Sequence, residues 1–205
     1  MKVLLTGAAG NVGFETLKSL INKNNDVTVL ELNNRKTKRK LKKFKDKVNI
    51  VYGSINDSDL IMELIKDKDV VIHLAAIIPP LADKNKELTK RVNYDGTKNI
   101  VDAIMKNGNK AFLVYSSSIS VYGDRVKDYN ICVDDELKPS DDDYYAEIKI
   151  KTEDMIKRSG INYTIFRLTG IMGHPMLDSL MFHMPLDTKI EFISNLDTGY
   201  AFSES

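Results

Sequence analysis

Apolar and polar positions along the chain follow two alternating periods. Residues 2–6, 26–32, 48–52, 69–75, 110–116 and 162–168 are short and nearly all apolar, as strands covered on both faces are. Between them lie segments of helical period. Residues 14–23 place Phe14, Leu17, Leu20 and Ile21 on one face, and residues 57–67 follow Asp57 or Ser58 as N-cap. Residues 85–106 predict one long helix and residues 144–159 another. Strands that alternate with helices pair in parallel through right-handed crossovers. The expected fold is therefore α/β, a doubly wound parallel sheet, without internal repeats.

Composition narrows the function. Thirty basic and twenty-nine acidic residues leave a net charge of +1, so no overall field draws in nucleic acid. The single cysteine, Cys132, excludes an intrachain disulfide framework and a multi-cysteine metal site. The longest apolar stretch, residues 70–82, is interrupted by His73, Pro79 and Pro80 and is too short for a membrane span. Gly7 and Gly10 end the first apolar run too early for a secretory signal. A cytoplasmic protein with no membrane partner is expected. Two charge runs, basic at 35–47 and acidic at 128–143, read as solvated segments, although the basic one could touch a cofactor phosphate. His174 and His183 have no ligand partner nearby in sequence, so no metal is expected.

The turn after the first strand carries the strongest chemical signal. Thr6-Gly7-Ala8-Ala9-Gly10-Asn11-Val12-Gly13 leaves a strand and opens a helix. Gly7 permits the tight turn, Gly10 lets backbone approach a pyrophosphate, and Gly13 lets helix pack on strand. The helix N-terminus offers free N–H groups to phosphates. Glu31, eighteen residues past Gly13, suits the adenosine ribose hydroxyls and would repel a 2′-phosphate. NAD is thus favoured over NADP, with Arg35 and Lys36 nearby as a counterweight. Tyr145 and Lys149, at i and i+4, share a helix face. Tyr144 is a weaker candidate, because its own i+4 partner is Ile148. A tyrosine titrating near 10 works as a base at neutral pH only if its phenolate is stabilised, and a lysine ammonium and the positive nicotinamide ring can both contribute.

With these motifs the chain resembles the extended short-chain dehydrogenase/reductase superfamily in its NAD-dependent epimerase/dehydratase branch. The glycine turn, His73-Leu74-Ala75-Ala76, Val92-Asn93-Tyr94-Asp95-Gly96-Thr97, Ser116-Ser117-Ser118 with Val121-Tyr122-Gly123, Tyr145-Ala146-Glu147-Ile148-Lys149, and Arg167 with residues 170–175, a segment that borders the nicotinamide, carry the resemblance. It implies a Rossmann fold over residues 1–175, with 176–205 a remnant or start of a truncated or minimal C-terminal substrate lobe. It implies Tyr145 as base, Lys149 as its electrostatic partner, and Ser118 (or else Ser117) as the donor to substrate oxygen. Cofactor contacts are implied from Gly7, Ala9, Gly10, Asn11, Val12, Gly13, Glu31 and Arg35 at the adenosine end. Ser54, Ile55, Leu74, Ala75, Ala76, Asn93, Ser116, Tyr145, Lys149, Leu168, Gly170 and Ile171 are implied along the rest. Many relatives carry an aspartate where Ser54 stands, and Asp57 is the nearby alternative. The implied activity is hydride transfer at a hydroxyl or carbonyl carbon, of a nucleotide-sugar, by a homodimer paired through residues 85–106 and 144–159. A dehydrogenase that releases reduced cofactor, and a non-catalytic dinucleotide sensor, are the alternatives.

Overall fold

The computed structural model describes residues 1–108, 110–125 and 130–169, and the backbone of two short strands at Ile171–Met172 and Ser203–Glu204. Six parallel strands form one sheet: β1 Lys2–Thr6, β2 Asp26–Glu31, β3 Asn49–Tyr52, β4 Val70–His73, β5 Phe112–Ser118 and β6 Tyr163–Leu168. Their order is β3-β2-β1-β4-β5-β6. The chain reverses direction across the sheet between β1 and β4, and at such a switch point ligands sit beyond the carboxyl ends of the strands.

Side-chain alternation explains why the strands are apolar throughout. In β1, Leu4 enters a core with Leu30, Ile61, Ile104, Leu113 and Ile156 on one face. Leu5, one residue on, enters a second core with Leu17, Val29, Leu41 and Phe44 on the other. Helix α1, Asn11–Asn22, and helix α2, Arg35–Leu41, cover the second face. Helices α3, Ser58–Ile65, α6, Gly96–Lys106, and α7, Tyr144–Arg158, cover the first. Side-chain caps start α2, α3 and α7: Asn34 accepts from Thr37 N at 2.9 Å, Asp57 from Leu60 N at 3.1 Å and Asp143 from Ala146 N at 2.8 Å. Helix α1 instead begins at Gly10 with no capping side chain, so its first N–H groups are left for another acceptor.

Three expectations change. The helix expected over 85–106 is preceded by a separate short helix, α4, Leu81–Lys84, and runs as α5, Lys86–Thr89, a widened π-helical turn at Lys90–Asp95, and α6 without a gap. The π turn places Asn93 on the buried side, and its carbonyl takes the Thr97 hydroxyl at 2.7 Å. The basic run is not merely solvated, because Thr37, Leu41 and Phe44 bury its inner face. The acidic run supplies the α7 cap, Asp143, and joins the fold through Val133 O, which accepts from Arg167 Nη1 at 2.8 Å.

Candidate active site

The glycine turn sits at the carboxyl end of β1, and each glycine answers a different constraint. Gly7 has φ +78°, and a Cβ there would lie 2.6 Å from Ala75 N. A Cβ on Gly13 would lie 2.1 Å from Gly7 O, so this glycine lets α1 close on the turn. Gly10 is different: its backbone is extended, and a Cβ would meet only Gly7 O at 3.2 Å. A Cβ at position 10 is thus one tight contact that a shift of a few tenths of an ångström relieves, where positions 7 and 13 meet outright clashes. The room there, beside an uncapped helix start, fits a pyrophosphate, and these residues fit the dinucleotide expected from sequence.

The adenosine end is drawn together by charge. Glu31 Oε1 accepts from Ala9 N at 2.6 Å, and Leu32 N donates to its Oε2 at 3.3 Å. Burial raises its carboxyl above the usual range, opposed by these hydrogen bonds and by the Lys40 ammonium. Lys40 Nζ donates to Ala9 O at 2.7 Å. Arg35 and Lys36 stay exposed at the start of α2, so Lys40, and not either of them, is the cation that reaches the turn. Asp57 caps α3 through Oδ1, which leaves Oδ2 of this exposed carboxylate as an acceptor. Ser54 Oγ accepts from Asn56 N at 3.1 Å, and Ile55 is buried with its carbonyl held by Asn99 Nδ2 at 3.0 Å.

Beneath the turn runs a directed hydrogen-bond chain. The Thr97 hydroxyl spends its proton on Asn93 O, so it can only accept from His73 Nε2, 3.0 Å away. His73 therefore carries its proton on Nε2, and Nδ1 accepts from Thr6 Oγ1 at 2.7 Å. Ala75 N in turn donates to Thr6 Oγ1 at 3.3 Å. Burial pushes the imidazole down to about 3, so His73 is a neutral strut and not an acid or base. The Asn93 side chain holds both polar groups of Ile77, accepting from its N at 2.7 Å and donating to its O at 2.8 Å. That clamp fixes the strip after β4 that contains Leu74, Ala75 and Ala76.

The catalytic candidates gather at the carboxyl end of β5. Lys149 is buried, and its Nζ donates to Ser116 O at 2.6 Å. The ammonium lies 4.7 Å from the Tyr115 ring centroid and 5.6 Å from that of Tyr145. Burial pushes Lys149 down to about 7, partly offset by Glu153. Ser116 Oγ donates to His73 O at 3.2 Å, tying β5 to β4. Ser118 points to the same side of the strand as Ser116. Its Oγ accepts from Ser120 N at 3.1 Å and from Ser120 Oγ at 2.9 Å. With its lone pairs occupied, the Ser118 hydroxyl keeps its proton to donate outward. Ser117 points the other way, buried beside Glu153, which removes it as the alternative donor. Tyr144 lines the outer groove between α6 and α7, which removes it as a competitor to Tyr145.

The lysine ammonium by itself does not make Tyr145 more acidic: burial, with Asp143 adding to it, pushes the phenol up to about 12. The Lys149 ammonium is turned to Ser116 O, so stabilising the phenolate requires a further positive charge.

Behind the site lies a buried ion pair that sequence reasoning missed. Glu153, one turn beyond Lys149, has a fully buried carboxylate. Arg167 grips it with two bonds, Nε to Oε1 at 3.1 Å and Nη2 to Oε2 at 2.8 Å. Lys157 adds a third at 3.2 Å. Arg167 also donates to the Tyr122 hydroxyl, so β6, α7 and the segment after Ser118 share one knot. Ser120 was likewise missed. Leu168 ends β6 opposite Ser118. Gly170, the segment 173–175, His174 and His183 lie outside the described residues, and Ile171 is described in backbone only. Among the described residues no group of three or more His, Cys, Asp or Glu could hold a metal. No helix among them is long and apolar enough to cross a membrane.

Comparison with known proteins identifies the family and the fold. The family model of the 3-beta hydroxysteroid dehydrogenase/isomerase family matches residues 4–169. UDP-glucose 4-epimerase of Lactobacillus helveticus is 31% identical over 184 residues, which cover 84% of this chain and 52% of the relative. UDP-N-acetyl-alpha-D-glucosaminuronate decarboxylase of Bacillus cytotoxicus is 34% identical over 125 residues, 60% of this chain and 38% of that one. Among solved structures, WbmH of Bordetella bronchiseptica in complex with NAD+ superposes with a TM-score of 0.74 at 28% identity, over 84% of this chain and 56% of that one. The chain thus spans about half the length, or less, of the relatives it matches. A glycine cradle, a Tyr–Lys pair and a serine at a strand end, on a sheet matched from residue 4 to 169, place the chain in the 3-beta hydroxysteroid dehydrogenase/isomerase family, among the extended short-chain dehydrogenases/reductases.

Proposed function

We propose that this chain is the coenzyme-binding and proton-transfer part of an NAD-dependent epimerase-type enzyme acting on a hydroxyl carbon of a nucleotide-sugar. The observation that carries the reading is one arrangement. Gly10 leaves open room at an uncapped helix start, while Lys149, Tyr145 and the outward-donating Ser118 hydroxyl gather at the carboxyl end of β5. The similarity to an epimerase and to an NAD+ complex supports it. Bound NAD would supply the hydride acceptor and a positive ring. Ser118 orients the substrate oxygen by donating its hydroxyl proton. Tyr145 takes the substrate hydroxyl proton as the carbon is oxidised and returns it in the reverse step. Lys149 lies beneath Tyr145 and favours its anionic form once its ammonium is released from Ser116 O.

A cytoplasmic homodimer is part of this reading. A groove of about 730 Å³ between α6 and α7 is lined by Val101, Met105, Ile148 and Met155 together with charged residues of both signs, among them Lys98 and Asp154, a mixed face that a second copy could cover. The test is purification followed by exhaustive dialysis and release of bound nucleotide, then incubation with UDP-hexoses. NAD retained, with epimerised sugar formed and no net NADH, supports the reading. Net NADH from an alcohol would assign a dehydrogenase instead, and nucleotide binding with no turnover on any substrate would favour a sensor.

A further inference from the structure

The basic run contributes one ammonium that none of the motifs above includes. Lys40 and Glu31 take opposite sides of the same residue: the ammonium holds Ala9 O at 2.7 Å and the carboxylate holds Ala9 N at 2.6 Å. Burial raises the Glu31 carboxyl, and the Lys40 ammonium adds a small opposing attraction to that of the backbone hydrogen bonds. Lys40 is itself fixed. It is half-buried, its ammonium lies 5.1 Å from the Phe14 ring centroid, and α2 beneath it is anchored by Thr37, Leu41 and Phe44. Phe14 and Phe44 stack edge to face at 5.4 Å, which holds the 3-10 turn after α2, Lys42–Phe44, against α1. Arg35, Lys36, Lys38 and Arg39 on the same helix are exposed.

We infer that Lys40 is a specificity-determining residue that opens the adenosine end to a dinucleotide bearing a 2′-phosphate. The inference rests on the reading that the glycine turn binds a dinucleotide. Glu31 alone would repel a 2′-phosphate, since two anions would share one partly buried site. Lys40 makes the pair net neutral. An ammonium has three protons, and Ala9 O takes one, which leaves two for phosphate oxygens. Sequence pattern alone, with an acid at the end of β2, favours NAD; the geometry adds a cation that relaxes that exclusion.

The test is calorimetric titration of the purified chain with NAD+ and with NADP+. Wild type is expected to bind both, with dissociation constants within about tenfold of each other. Lys40→Met removes a charge-assisted hydrogen bond and is expected to raise the NADP+/NAD+ ratio of dissociation constants by about tenfold or more. Lys40→Arg keeps the ratio within about threefold of wild type, and Glu31→Gln lowers it by removing the repulsion. Raising the salt concentration raises the wild-type ratio, because screening weakens the exposed part of the contact. A ratio unmoved by Lys40→Met while NAD+ still binds overturns this inference and spares the parent reading. Failure of both nucleotides to bind overturns both.

Discussion

Gly10→Ala and Gly13→Ala separate the needs of the fold from those of a ligand, three residues apart in one turn. At Gly13 a Cβ would sit 2.1 Å from Gly7 O and 2.7 Å from Gly7 C, both backbone atoms. An ordinary contact to carbon is about 3.5 Å, so α1 or the turn must move by more than 1 Å. Overpacking of that kind, here against backbone that cannot rotate away, costs about 2–3 kcal/mol, against about 1 kcal/mol that alanine returns through helix propensity. The net loss of about 1–2 kcal/mol is a fall of about 2–8 °C in a chain of this size. At Gly10 the backbone has φ −69° and ψ 174°, open to any residue, and the nearest atom is 3.2 Å away. Losing glycine at an N-cap costs up to about 1 kcal/mol, and the stiffer unfolded chain returns about 0.4–1 kcal/mol. The melting temperature of Gly10→Ala is therefore expected within about 2 °C of wild type. Its added methyl nevertheless occupies the room assigned to pyrophosphate, so NAD+ affinity should fall at least tenfold. Thermal unfolding without ligand and titration with NAD+ measure the two quantities. Undiminished NAD+ binding by Gly10→Ala would refute the cradle, and a Gly13→Ala protein as stable as wild type would refute the packing argument.

Two further outcomes follow from buried charge. Glu153→Gln strands Arg167 and Lys157 without a carboxylate, which for a buried pair costs about 3 kcal/mol and lowers the melting temperature by about 6–12 °C. The Glu153 carboxyl is held below its ordinary 4.5, so its stabilisation is present above that value and is lost as pH falls through the lowered one; a wild-type advantage that persists in strong acid would contradict the pairing. Lys149→Met removes an ammonium that burial pushes from 10.5 down to about 7. Wild type pays for that burial in full below about pH 7 and recovers as pH rises to the unfolded value. The variant's gain in melting temperature should therefore be greatest at or below pH 7 and shrink toward pH 10, and a gain independent of pH would rule out the desolvated ammonium.

Much of the architecture was legible because its cause is local. Leu4 and Leu5 alternate into two cores, and six such strands separated by helical periods leave little choice but a doubly wound sheet. Boundaries shifted where neighbours decide. The sequence pattern ended β5 at Ser116, yet pairing of Ser117 with Arg167 and Ser118 with Leu168 carries the ladder through residues whose propensity marks a turn. The helix over 85–106 hid a π turn, because apolar period is insensitive to one wider turn. At the site, motif spacing located Tyr145, Lys149 and the glycines. It could not show that Lys149 is turned to Ser116 O, or that Lys40, thirty-one residues away, reaches Ala9. Nor did it show that Glu153 and Arg167 meet. Those depend on which side chains the sheet order brings together, and on burial, which sets the direction of the Glu31, His73, Tyr145 and Lys149 shifts, while the Arg167 pair sets that of Glu153.

The central claim is that Tyr145 is a latent base: burial holds its phenol up to about 12, and a positive coenzyme ring would bring it into the working range. Tyrosinate ultraviolet absorbance against pH, recorded with and without saturating NAD+ and with Tyr145→Phe as the blank, measures it directly. The account predicts one tyrosine, absent from the blank, whose midpoint falls by several pH units when NAD+ is bound. A midpoint that stays put while NAD+ is shown to bind would contradict it.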